Sequence, residues 1–196
     1  MDWDKRYENH DTPWDKGAPA PVLIELLKTG EFQCVKTYPE VLIPGCGYGH
    51  DVREIASAGY QATGIDISEK ALHTARFLTT GNQELSTFSG ADLFDPELPK
   101  RKRYDAIWEH TCYCAIDPDL RADYVKAVHD LLKPEGLLIG VFFTTEQTKP
   151  GPPHMTNPKD LHRLFSKHFE LLWEKAPELY YPARAGKEWL MCWRRR

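Results

Sequence analysis

Residues Glu40 to His50 read E-V-L-I-P-G-C-G-Y-G-H, and this stretch decides the fold. The apolar run Val41-Leu42-Ile43 stops at Pro44 and gives way to Gly45, Gly47 and Gly49 in alternation. An amphipathic stretch follows at once, Asp51-Val52-Arg53-Glu54-Ile55-Ala56. A buried strand, a tight turn and a helix start, in that order, are how an open α/β sheet presents a nucleotide-like ligand at a strand's C-terminal end. Glycine belongs in such a turn because a Cβ would disfavour positive φ and hold the backbone off the ligand.

The chain of 196 residues is long enough for one domain around one core, so a single domain over 1–196 is expected. A formal net charge of −4 gives no electrostatic footprint for nucleic acid, and the basic tail Arg194-Arg195-Arg196 reads as a solvated end. No segment approaches the roughly 18 apolar residues of a membrane span, and Met1-Asp2-Trp3-Asp4-Lys5 lacks the apolar core of a signal peptide. No membrane partner and a cytoplasmic location are therefore expected. Five cysteines at unpatterned spacings fit reduced thiols better than a disulfide framework. Cys112 and Cys114, spaced C-x-C, have no matching His/Cys pair, so no metal site is expected and they read as wall residues or buried thiols.

Working outward, Pro19 to Lys28 reads as a helix closed by Gly30. The helix after the glycine turn ends near Gly59, and a second strand, Gln61 to Ile65, runs up to Asp66. Ser68 can N-cap a helix through about Thr79. Short strands are predicted over Ser86 to Gly90 and Tyr104 to Trp108, then a helix over Pro118 to Leu132. Lys133 to Gly136 reads as a turn, and Leu137 to Phe143 as a fully apolar and therefore central strand. A long Pro-rich loop, Thr144 to Thr156, precedes a helix over Asn157 to Ser166 and two final strands, Phe169 to Trp173 and Glu188 to Trp193. The alternation predicts an α/β fold, a mostly parallel sheet with helices on both faces and an antiparallel pair at one edge. Trp3, Tyr7 and Trp14 either anchor a loose N-terminal arm or line a lid over the pocket; the residues leave both readings open.

The glycine spacing discriminates between cofactors. A dinucleotide site wants G-x-G-x-x-G, but the last position falls on His50 or on Val52, depending on which glycine opens the count. G-x-G-x-G suits a cofactor without a pyrophosphate, such as S-adenosylmethionine, whose amino-acid moiety the Gly45-Cys46-Gly47 backbone can wrap. Asp66, with Ile67 beside it, ends the second strand, where a carboxylate can accept from both ribose hydroxyls. Asp92, flanked by Ala91 and Leu93, follows the third strand, where it can read the adenine edge. Glu109 and His110 end the fourth, beside the reactive end of the cofactor. Arg121 either attracts an anionic substrate or ties its helix to a loop.

The runs V-L-I-P-G-C-G-Y-G-H-D-V, G-I-D-I-S-E-K-A, A-D-L-F, C-A-I-D-P-D-L-R, L-L-K-P-E-G and G-P-P, with T-P-W-D-K-G at Thr12 to Gly17 and A-G-K-E near the C-terminus, resemble the thiopurine S-methyltransferase superfamily. Within it, the likeness is to plant-type halide and thiol (thiocyanate) methyltransferases. The resemblance implies a class I, Rossmann-like seven-stranded methyltransferase that uses S-adenosylmethionine and releases S-adenosylhomocysteine. It places Trp3, Tyr7 and Trp14 in a lid over cofactor and substrate, and Gly45, Asp66, Asp92 with its neighbours, and His110 against the cofactor. Tyr7 stands where plant members have tryptophan, and His110 where they have tyrosine. Phe143 stands where halide-using relatives carry a tyrosine near the bound anion, and the W-D-R motif of human-type thiopurine enzymes is absent.

The expected reaction is in-line transfer of a methyl group to a small soft nucleophile, a thiol or hydrosulfide, by a monomer in which no residue is an obligatory covalent or metal centre. Halide, thiocyanate, thiopurine or chalcogen acceptors are alternatives within that class. An NAD(P)-dependent oxidoreductase and a non-catalytic cofactor-binding module are the rivals outside it.

Overall fold

A computed structural model describes residues 1–32, 39–80, 84–144, 146 and 149–196. Cys34 and part of the loop expected at 144–156 lie outside the described residues.

The apolar run at Glu40 forms β1 (Glu40–Pro44), buried from Val41 onward. Around it stand β2 (Gln61–Asp66), β3 (Ser86–Gly90), β4 (Tyr104–His110), β5 (Leu132–Phe143), β6 (Phe169–Lys175) and β7 (Glu188–Arg195). They make one seven-stranded sheet in the order β3-β2-β1-β4-β5-β7-β6. The first five strands of the chain are mutually parallel, while β7 runs antiparallel to both β5 and β6. The antiparallel C-terminal pair is thus present, with the last strand inserted and β6 at the edge.

Among the described residues, seven helices complete the architecture: α1 (Trp3–Glu8), α2 (Pro21–Thr29), α3 (His50–Ser57), α4 (Glu69–Leu78), the short α5 (Leu98–Arg101), α6 (Arg121–Leu131) and α7 (Pro158–Phe165). Their ends follow the local chemistry. Gly30 closes α2 in the left-handed conformation. Ser68 caps α4 by accepting from the Ala71 N–H, and Asn157 caps α7 by accepting from that of Asp160. Pro118–Leu120 forms a separate 3₁₀ turn, so α6 starts three residues later than the sequence pattern suggests.

The strands alternate their side chains between two cores. Leu138 and Phe142 of β5 join Tyr124, Val128, Leu161 and Phe165 on one face. Ile139 and Val141 join Leu23, Leu26, Val52 and Ile55 on the other. Burial of that kind on both faces is what a near-continuous apolar strand signals. Two expectations at the centre of the sheet need correction. The strand expected to end at Trp108 continues through Glu109 and His110, which pair with Gly140 and Val141. The turn expected at Lys133 to Gly136 lies inside β5 as an irregularity, since Tyr104 pairs with Leu132 but Ala106 with Leu137. Glu135 takes a φ of 63° there, and Lys133 reaches Glu40 and Asp105. No described helix is long and apolar enough to cross a membrane.

Candidate active site

Chain order reverses between β1 and β4, and a crevice opens at the C-terminal ends of the strands on either side of such a point. Here it is a cavity of about 470 Å³, within the range of small-ligand sites. The ends of β1 and β2, the segments after β3 and β4, and the end of β5 supply its floor.

The glycine turn enters this cavity with positive φ at Gly45, Gly47 and Gly49. A Cβ on Gly45 would stand 3.1 Å from Cys112 Sγ, and one on Gly47 would stand 3.0 Å from the Tyr7 hydroxyl. The turn is held from below by Asp66. One carboxylate oxygen accepts from the Gly47 N–H at 2.9 Å, the other from the Ser68 N–H at 2.9 Å. Burial pushes the Asp66 carboxyl above its usual range against the pull of those bonds. Asp66 therefore shapes two backbone segments and lines the cavity as well.

The N-terminal arm forms the facing wall. Asp2 caps α1 by accepting from the Lys5 N–H. Trp14 packs edge-on to Trp3 and Tyr7, with ring centroids 5.4 and 5.7 Å away, and its indole N–H reaches the Tyr7 hydroxyl at 3.3 Å. The Arg6 guanidinium lies 4.3 Å over the Trp14 ring. Trp3, Arg6, Tyr7, Pro13, Trp14 and Lys16 all line the cavity. The arm is tied down at its far end, where the Tyr181 hydroxyl donates to the carbonyls of Ala18 and Pro19.

The structure gathers most of the expected residues around this space. Trp3, Tyr7, Trp14, Gly45, Asp66, Ile67, Ala91, Asp92, Leu93 and Phe143 line the large cavity. Cys46, Gly47 and His110 line a smaller recess that shares Tyr7, Trp14 and Gly45 with it. Two expected residues stand outside both. Glu109 is buried beneath the floor, accepting from the Tyr113 N–H at 2.8 Å and from the Tyr124 hydroxyl. Burial pushes its carboxyl up to about 7. Arg121 donates to the carbonyls of His154 and Met155 at 2.8 and 3.0 Å, so it ties α6 to the loop, the second of its two expected roles.

The wall thiols are poor nucleophiles. Burial pushes Cys114 up to about 12 and Cys112 well above its ordinary value, which leaves both protonated near neutral pH. Among the described residues, no group of three His, Cys, Asp or Glu side chains is placed to hold a metal ion.

Two residues of the site carry no local sequence signal. Arg184, only 5% exposed, lines the cavity from a 3₁₀ turn before β7 and pairs with buried Glu188 at 3.0 Å. Asp51, in the first turn of α3, accepts from the Ala20 N–H, the Trp108 indole and His110 at 2.8, 2.8 and 2.9 Å. The Asp51 partners are 31 to 59 positions away, and Arg184 also meets His110 from 74 positions away, so only the fold brings these groups together.

A family model for thiopurine S-methyltransferase (TPMT) matches residues 1–195. The chain is 33% identical over 196 residues to a probable thiol methyltransferase 2 of Arabidopsis thaliana, covering 98% of this chain and 84% of that protein. It is 31% identical over 196 residues to thiocyanate methyltransferase 1 of the same plant, with the same coverage of 98% and 84%. Among solved structures, a 1,6-didemethyltoxoflavin-N1-methyltransferase of Burkholderia thailandensis superposes with a TM-score of 0.73 at 18% identity, covering 99% of this chain and 85% of that one. That last likeness is one of fold.

Proposed function

We propose that this chain, which belongs to the thiopurine S-methyltransferase family, transfers a methyl group to a small soft nucleophile, a thiol or hydrosulfide. Dependence on S-adenosylmethionine follows from the family; the acceptor is the proposal. The glycine cradle suits that cofactor, because Cβ atoms on Gly45 and Gly47 would crowd Cys112 and Tyr7 in the space it needs. Gly45, Cys46, Gly47, Asp66 with Ile67, and Asp92 with Ala91 and Leu93 would hold it. When bound, it supplies a sulfonium methyl whose in-line displacement leaves a neutral thioether, with no proton owed to the leaving group.

The observation that carries the acceptor reading is the lack, among the described residues, of a free histidine base in the site. No described residue lining the large cavity is a histidine. His110, in the recess, has one ring nitrogen on Asp51 and the other on Arg184. Asp66 is engaged by two backbone N–H groups, Asp92 accepts from the Phe94 N–H on the nucleoside side, and Glu146 is exposed. An alcohol or amine acceptor would need its proton removed in the transition state. A thiol or hydrosulfide ionises near neutral pH and needs only alignment and a dry site, worth roughly 7–11 kcal/mol when reacting atoms are held together. Trp3, Tyr7, Trp14 and Phe143, with Pro152 and Pro153, provide the apolar enclosure.

Halide and thiocyanate are a second reading, favoured by the named activity of one relative, and Phe143 weighs against it by offering no hydroxyl. The test is S-adenosylhomocysteine release across a panel of small thiols, hydrosulfide, iodide, thiocyanate, a thiopurine and a chalcogen oxyanion. Turnover highest with thiols or hydrosulfide is expected. Turnover confined to another acceptor would replace the assignment, and cofactor binding without any turnover would favour a non-catalytic module.

A further inference from the structure

His110 has no nitrogen left for a ligand. Its Nδ1 stands 2.9 Å from Asp51 Oδ2 and its Nε2 2.8 Å from Arg184 Nη1. A guanidinium has donors only, so Nε2 is the acceptor and Nδ1 carries the proton toward Asp51. Asp51 is itself anchored on Trp108 and Ala20. The imidazole therefore sits in a rigid clamp.

The clamp acts on Arg184. Its Nη1 is shared between His110 and Glu188 Oε1, and its Cζ lies 4.9 Å over the Phe143 ring and 5.3 Å over Tyr181. Among the described residues, Nε and Nη2 carry no hydrogen bond. Those donors are free to meet an acceptor in the cavity that Arg184 lines. In sheet order, Asp66 and Asp92 follow β2 and β3 on one side of β1, whereas Phe143 and Arg184 belong to β5 and the β7 entry on the other. Lys187 lines the cavity on this second side too. The cofactor's nucleoside falls to the first side and the acceptor to the second.

We propose that His110, clamped by Asp51, is a positioning residue that fixes Arg184 in the acceptor side of the cavity, and that Arg184 selects thiol acceptors bearing an anionic group such as a carboxylate. This rests on the thiol-methylation reading above. The chemistry is recognition only: the guanidinium fork receives the carboxylate while the sulfur faces the methyl donor.

The experiment compares 3-mercaptopropionate with its methyl ester, in turnover and in calorimetric binding of the corresponding methylthio products to the protein–S-adenosylhomocysteine complex. Binding stays readable if neither thiol turns over, so loss of the acceptor reading and loss of this inference are separate outcomes. The wild type is expected to favour the carboxylate by about tenfold or more in KM and product Kd, the scale of one charged hydrogen bond. His110→Phe is expected to erase that preference, read as the carboxylate-to-ester ratio in KM and in product Kd. His110→Gln, which keeps an acceptor for Arg184 and a donor for Asp51, is expected to restore it. Should His110→Phe not fold, Arg184→Lys carries the same expectation of lost preference. Equal affinity of the wild type for carboxylate and ester overturns the inference. So does a His110→Phe effect that weakens both ligands alike.

Discussion

Asp4 of α1 accepts a hydrogen bond from the Ser68 hydroxyl at 2.5 Å, and the same hydroxyl caps α4 by accepting from the Ala71 N–H at 3.2 Å. The Lys70 N–H also points to Asp4 at 3.3 Å, and Lys70 pairs with Glu8 at 2.8 Å. The aromatic wall is thereby fastened to the helix that starts just after Asp66, through a carboxylate set against the positive end of that helix. Its bonds to Ser68 and Lys70 hold the Asp4 carboxyl below its usual range. Asp4→Ala is expected to raise the KM for S-adenosylmethionine several-fold with little change in melting temperature. An unchanged KM would mean that the wall holds without this contact.

Deletion of residues 1–15 extends the same reasoning. Tyr7 is the one buried side chain among them, so the sheet and its two cores lose little packing. Turnover is expected to vanish while a cooperative melt and a near-native circular dichroism spectrum persist. Full activity in the shortened chain would reduce the arm to a structural strap.

Asp66→Ala removes a carboxylate that organises both the glycine turn and the start of α4. A loss of about 10–100-fold in S-adenosylhomocysteine affinity by calorimetry is expected, the scale of one or two charge-assisted hydrogen bonds. Unaltered affinity would remove Asp66 from the cofactor site.

Phe143→Tyr adds a hydroxyl donor at the end of β5, on the ring that Arg184 covers at 4.9 Å. Anions gain a hydrogen bond there, so iodide and thiocyanate methylation is expected to rise relative to thiol methylation. No change in the ratio would take away the reason for disfavouring halides at this site.

How much of this was legible in the sequence depends on whether the causes were local. Strand–turn–helix at Glu40 to Ala56, the Ser68 cap and the Gly30 stop depend on residues within a turn or two, and each stands where the pattern places it. The arm's helix α1 was not legible, because a six-residue stretch has little intrinsic helicity and draws its support from Ser68 and Lys70. The extension of β4 through Glu109 was hidden for a similar reason. A carboxylate inside a central strand is tolerable only with buried partners, and those come from Tyr113 and from Tyr124 in α6. Arg184 is the extreme case. Its partners His110 and Glu188 lie 74 and 4 positions away, and nothing in P-A-R-A-G-K announces a buried cation.

Glu109 also makes the fold sensitive to pH in a direction that can be worked out. Burial raises its carboxyl to about 7 in the folded chain, against about 4.3 in an unfolded one. The folded state therefore holds a proton that the unfolded state releases between those values, and stability falls as pH rises through that window. The contribution is fully present below about pH 4 and lost by about pH 8, a change on the order of 3 kcal/mol. Glu109→Gln keeps an amide oxygen to accept from the Tyr113 N–H, presents its NH2 as a donor to the Tyr124 hydroxyl oxygen, and cannot ionise. Urea midpoints of wild type and variant are expected to lie closest near pH 4, with the wild type falling progressively below the variant by pH 8. Parallel profiles across that range would show that Glu109 is already ionised in the folded chain at pH 5, with Tyr124 and the Tyr113 N–H compensating its charge.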